Sequence, residues 1–125
     1  MRQISLISKK TRITIELSDI AASLSLYHML PVSSQASLWG KEIYFPIPRI
    51  SVSGAVLTEQ VEIGDVGFWP EGNCFCVFFG RTPMSTSERP VPASGVVLLG
   101  RVDDGLASLS DIPAGAGVEL HAVNV

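Results

Sequence analysis

Gly64-Asp65-Val66-Gly67-Phe68-Trp69-Pro70-Glu71-Gly72-Asn73-Cys74-Phe75-Cys76-Val77-Phe78-Phe79-Gly80-Arg81-Thr82-Pro83 is the stretch whose reading decides the fold. Two aromatic, β-prone runs, Val66 to Trp69 and Cys74 to Phe79, flank Pro70-Glu71-Gly72-Asn73. In that loop proline is set to open a type I turn and glycine is free to take a positive φ, so a tight hairpin is expected. Along the second run Cys74, Cys76 and Phe78 face one way and Phe75, Val77 and Phe79 the other. A strand apolar on both faces belongs in the middle of a covered sheet, because as an exposed edge it would invite aggregation.

The surrounding chain supports a β-rich reading. It has 125 residues, enough for one domain spanning 1–125 with a core that needs no staples. A content of 46% hydrophobic and 17% charged residues with 11 Gly and 8 Pro fits a compact, turn-rich protein. The net charge is −3 and the basic residues are dispersed, which argues against nucleic acid and anionic membranes as partners. No stretch has transmembrane length and Met1 to Lys10 lacks the apolar core of a secretory signal, so a cytoplasmic location is the default expectation. Cys74 and Cys76 stand about 6.6 Å apart along a strand with poorly aimed Cβ vectors, so both are expected as buried, reduced thiols. His28 and His121 have no ligand spacing with them; no metal and no cofactor is expected.

In order, Arg2 to Ser8 and Arg12 to Leu17 read as an antiparallel pair with Ile4, Leu6, Ile13, Ile15 and Leu17 inward. Ser18 reads as the N-cap of a helix, with Asp19 in its first turn, running to Leu30 and stopped by Pro31. Val32 to Leu38 reads as a polar connection, and Lys41 to Phe45 as a strand with Glu42 and Tyr44 on one side and Ile43 and Phe45 on the other. Ile50 to Leu57 and Glu59 to Ile63 are expected to form a short strand pair. Thr82 to Gly95, aperiodic with three prolines, is an ordered loop that acts as a lid or a plain crossover. Gly95 to Val102 is a strand, Asp103-Asp104-Gly105 a turn, Leu106 to Ile112 a short helix or 3₁₀ segment, and Val118 to Val125 the last strand. Eight or nine short strands and one clear helix point to a closed or sandwich-like structure, with closure favoured.

Trp39-Gly40-Lys41-Glu42-Ile43-Tyr44-Phe45, followed by Gly64-Asp65-Val66-Gly67-Phe68-Trp69-Pro70-Glu71-Gly72-Asn73 and Cys76-Val77-Phe78-Phe79-Gly80-Arg81-Thr82-Pro83, resembles the cyclophilin-like family of small bacterial and archaeal proteins over nearly the whole chain. The resemblance implies a mainly β fold, a closed eight-stranded antiparallel barrel with one or two short helices. It departs from the prolyl isomerases at the catalytic run Gly-x-x-Phe-His-Arg-x-Ile-Pro. Laid on Gly40 to Pro48, that run puts Tyr44 at the histidine and Phe45 at the arginine. The aromatic-methionine pair of the proline pocket is likewise absent from Glu59 to Asp65.

Without that arginine, the expected function is binding of a small molecule or peptide without standard isomerase chemistry. A weak or atypical prolyl isomerase and a protein-interaction subunit are the alternatives. The candidate ligand-binding residues are Glu42, Tyr44, Phe45, Trp69, Phe79 and Arg81, aromatic walls with one acid and one cation. No catalytic residue, ligand identity or oligomeric state is legible.

Overall fold

The computed structural model describes residues 2–123. β1 (Arg2–Ser8) and β2 (Thr11–Leu17) form the first hairpin, in register from Arg2 opposite Leu17 to Ser8 opposite Thr11. Its alternation places Ile4, Leu6, Ile13, Ile15 and Leu17 in the interior. The helix α1 (Ala21–Met29) follows, burying Ala22, Ser23 and Leu26. Its N-cap is Ile20, with no acid in the first turn, and not Ser18. The Ser18 hydroxyl is drawn elsewhere: with the Ser23 hydroxyl it donates to the Leu99 carbonyl, at 3.1 and 2.8 Å. These bonds tie the helix to the barrel wall, an anchor that outweighs a local cap.

Val32 to Leu38 is no mere connection but β3 (Val32–Gln35) and β4 (Ser37–Leu38), joined through Ala36. Backbone pairing makes no demand on side-chain size, so a serine-rich run with no apolar period can still be a strand. β5 (Glu42–Pro46), β6 (Asp65–Trp69), β7 (Cys74–Phe78), β8 (Val97–Asp104) and β9 (Gly117–Ala122) complete the set. A 3₁₀ helix, Leu106–Asp111, precedes β9. β8 runs on through Asp103 and Asp104, expected as a turn; the chain reverses at Gly105, with φ of 92°. Of the last expected strand, positions 124 and 125 lie outside the described residues, and β9 ends at Ala122.

The expected strand pair within 50–63 does not form. Gly54 takes a φ of 74°, which breaks the run, and the segment lies across the barrel as coil pinned by buried Ile50 and Val61. Its one sheet-like contact is the bridge of Thr58 with Val96.

All neighbouring strands are antiparallel, in the order β3-β9-β1-β2-β8-β6-β7-β5-β4. β3 and β4, at opposite ends of that order, are consecutive in the chain. The sheet is therefore a nearly closed nine-stranded barrel, or eight-stranded if Val32 to Leu38 is counted as one strand bent at Ala36. Ala36 N–H donates to Ala116 O at 2.8 Å, and the Ser34 hydroxyl donates to Pro46 O at 2.7 Å across the seam.

The faces of β7 divide two cores. Phe75 and Val77 fill the interior with Phe45 and Phe68, and the Phe45 and Phe75 rings stand 5.2 Å apart. Cys74, Cys76 and Phe78 point outward into a second, smaller cluster with Val61 and Val96. Both cysteines are free and buried.

Candidate functional site

The outer face of β5, β6 and β7 carries the site. Trp39 and Glu42 face each other across a two-residue turn, with Trp39 N–H donating to Glu42 O at 2.9 Å and Glu42 N–H to Trp39 O at 3.2 Å. Gly40 opens that turn with a φ of 59°, a conformation suited to glycine, and a Cβ there would lie 2.7 Å from Arg81 O. Register then brings Tyr44 opposite Cys76 and Trp69 opposite Cys74. Small cysteine side chains keep the middle strand low between tall neighbours. The result is a cavity of about 170 Å³ lined by Trp39, Glu42, Tyr44, Trp69, Pro92, Ala93 and Val96.

Its fourth wall is the loop from Thr82 to Gly95, which is ordered by its own bonds. The Thr82 hydroxyl accepts from Val91 N–H, and the Ser85 hydroxyl accepts from Thr82 N–H at 2.9 Å. Arg89 donates to Val61 O at 3.0 Å and pairs with Glu62 at 2.8 Å. At the loop's end Trp69 Nε1 donates to the Ser94 hydroxyl at 2.6 Å, which donates to Glu71 at 2.7 Å. The indole's polar edge is thus spent on the loop. Its far side rests on Gly72, where a Cβ would lie 2.1 Å from Trp69 Cζ3. Gly72 is required for this contact; the positive φ of the turn, 54°, falls on Asn73 instead.

Among the described residues, Glu42 is the one charged group lining the cavity. It is 6% exposed, its Oε1 has no hydrogen-bond partner, and among the described residues no cation lies within ion-pair distance of it. Burial pushes its carboxyl up from 4.5 to about 7, against a smaller lowering influence of the Cys76 thiol. Burial, then the Glu42 charge, likewise raises both Cys74 and Cys76, which stay uncharged at neutral pH. Among the described residues no three His, Cys, Asp or Glu side chains are grouped to hold a metal ion.

Of the candidate residues, the structure brings together Glu42, Tyr44 and Trp69. Phe45 points into the barrel at 1% exposure, and Phe79 packs half-buried against the same core. Arg81 stands away from the cavity, with Glu88 at 3.5 Å and Ser85 O at 3.4 Å. Trp39, Pro92, Ala93 and Val96 are additions. Trp39 was recoverable from the glycine turn that sets it opposite Glu42; the loop residues carried no local signal.

A wider trough of about 960 Å³ lies over the barrel seam, lined by Ser33, Ser34, Ser37, Tyr44 and Pro46 among others. It is open to solvent and has no buried charged group, so the smaller cavity is the better-formed site. Tyr44 stands between the two. Among the described residues no helix is long and apolar enough to cross a membrane.

The family model described as Cyclophilin-like matches residues 2–121. The solution structure of the hypothetical protein AF2241 from Archaeoglobus fulgidus is similar at 28% identity and a TM-score of 0.77, covering 98% of this chain and 95% of that one. No curated protein matches.

Proposed function

We propose, for a chain that belongs to the cyclophilin-like family, a binding role: the cavity between Trp39, Tyr44 and Trp69 takes a small molecule or a single side chain of a peptide. The observation that carries this is Glu42, a carboxyl almost wholly removed from water with an unpartnered Oε1. An unsatisfied buried acceptor costs roughly 1–3 kcal/mol or more, and such costs are concentrated at functional sites. The size of the cavity favours a fragment, since drug-sized ligands occupy about 300–1,000 Å³.

Prolyl isomerisation is disfavoured on physical grounds. It needs donors aimed at the amide being rotated, against a barrier of about 18–20 kcal/mol. The cavity offers aromatic carbon and an acid, while the nearby cations are engaged elsewhere: Arg81 with Glu88, and Lys41 lying along Gly80.

Nuclear magnetic resonance of the Trp39 and Trp69 indole N–H groups during a fragment and peptide screen tests the binding role. Hits are expected to move both signals and to be lost in Tyr44→Ala. Hits that map to Ser33 and Ser37 with both indoles unmoved would place binding in the seam trough and refute it.

An interaction role has one observation in its favour. Val56, 79% exposed, and Leu57 stand beside exposed Ile20 near a shallow apolar groove. Elution of the natural protein from cell extract as a monomer would count against it.

A further inference from the structure

Resting on the binding role just argued, we infer that the cavity selects a protonated amine, an alkylammonium group with at least one N–H, held between the rings of Trp39, Tyr44 and Trp69 and donating to Glu42. Each wall narrows the choice. Trp69 has already committed its N–H to Ser94, so what it turns to the cavity is aromatic carbon, whose face attracts cations. Pro92, Ala93 and Val96 add apolar surface without charge.

An anionic ligand would meet Glu42 unopposed, because among the described residues no lining residue is basic. A purely apolar ligand would seal the cavity and leave Oε1 without a donor. A neutral donor would satisfy Oε1 but draw little from the rings or from the charge of the carboxylate. An ammonium group with an N–H answers all three at once. It also replaces the missing counter-charge of a buried acid that has no ion-pair partner among the described residues.

The pinned geometry favours such selection. Trp69 is clamped between Gly72 and Ser94, and Trp39 is set by the Gly40 turn, so two of the three rings need little reordering on binding. The titratable groups facing Glu42 are Cys74 and Cys76 from β7 and Tyr44 from its own strand; the loop supplies none. Both thiols remain neutral near pH 7, so the carboxyl is the group whose charge responds to the ligand.

The test is a fluorescence and calorimetric titration of the full chain with protonated dimethylaminoethanol and with the isosteric alcohol in which carbon replaces nitrogen. A peptide bearing dimethyl-lysine runs alongside as the second source of the same group. The amine is expected to bind at least about tenfold more tightly than the isostere. Glu42→Gln is expected to remove most of that preference, and Tyr44→Leu to weaken the amine with the fold intact. Tighter binding of the free amine than of the peptide assigns a small-molecule ligand, and the reverse assigns a side chain; either supports the inference. Equal or tighter binding of the isostere overturns the ammonium assignment and leaves the cavity a binding site. No saturable signal from any probe, charged or neutral, overturns both.

Discussion

Gly72 and Trp69 are in a contact that admits no side chain: a Cβ on Gly72 would lie 2.1 Å from Cζ3 and 2.3 Å from Cε3 of the indole. The ring lies over the hairpin turn that precedes β7, and the absent methyl is the space it occupies. Gly72→Ala is therefore expected to push Trp69 off its seat and strain the turn, at about 1–3 kcal/mol. Denaturant midpoints measure the loss, and a changed tryptophan emission spectrum reports the moved ring. An unshifted midpoint with unchanged emission would show that the turn yields without moving Trp69.

Glu42 gives stability a pH slope of known sign. Burial raises its carboxyl from 4.5 to about 7, so the folded protein holds this proton over a range where the unfolded chain has lost it. Stability conferred by the protonated form is complete below 4.5, falls as the pH climbs through about 7, and is level above that. The fall is on the order of 3 kcal/mol. Glu42→Gln is expected to remove it, so that urea unfolding at about pH 5 and about pH 8 differs less in the variant than in the natural protein. Equal slopes in both proteins would rule this out.

Arg89 fastens the loop by its bond to Val61 O and its pair with Glu62, on side chains 45% and 60% exposed. An exposed pair contributes at most about 1 kcal/mol, so Arg89→Ala is expected to leave global unfolding almost unmoved. Its effect should be local: faster hydrogen exchange at the Val91 amide, whose acceptor is the Thr82 hydroxyl, with β7 amides unaffected.

Laying the prolyl isomerases' catalytic run on Gly40 to Pro48 puts Phe45 at the arginine, and the structure buries Phe45 inside the barrel at 1% exposure. A coupled assay on a proline peptide is expected to give the uncatalysed rate at high protein concentration, with Phe45→Ala and Arg81→Ala no different. A rate proportional to protein concentration and reduced by Arg81→Ala would reverse that expectation.

Alternation made much of the barrel legible. The inward faces of β1 and β2, and the split of β7 between Phe75 and Val77 on one side and Cys74, Cys76 and Phe78 on the other, follow from a period of two, and the structure has them so. Val32 to Leu38 escaped the same reading because its pairing is carried by backbone groups, which leave no mark on residue type. The pair expected within 50–63 looked apolar enough for strands, but Gly54 bends the chain and Val56 ends in solvent.

At the site, Glu42 and Tyr44 share a face for the reason that any residues i and i+2 of a strand do. What covers them was hidden, because Pro92 and Ala93 arrive from a loop whose path depends on Thr82, Arg89 and Ser94 finding distant partners. Arg81 illustrates the converse. It lies close in sequence to β7, yet beyond the end of the strand the alternation no longer governs it, and it pairs with Glu88.

The position of β9 bears on how the chain comes into being. β9 lies between β1 and β3, pairing Leu6 with Leu120 and Val32 with the same residue. During synthesis both of those earlier strands wait with open edges until β9 has left the ribosome, with synthesis running at about 5–20 residues per second. The nascent protein thus spends seconds with two unpaired edges, and its vulnerability to misassembly lies in that interval, before the stable barrel exists.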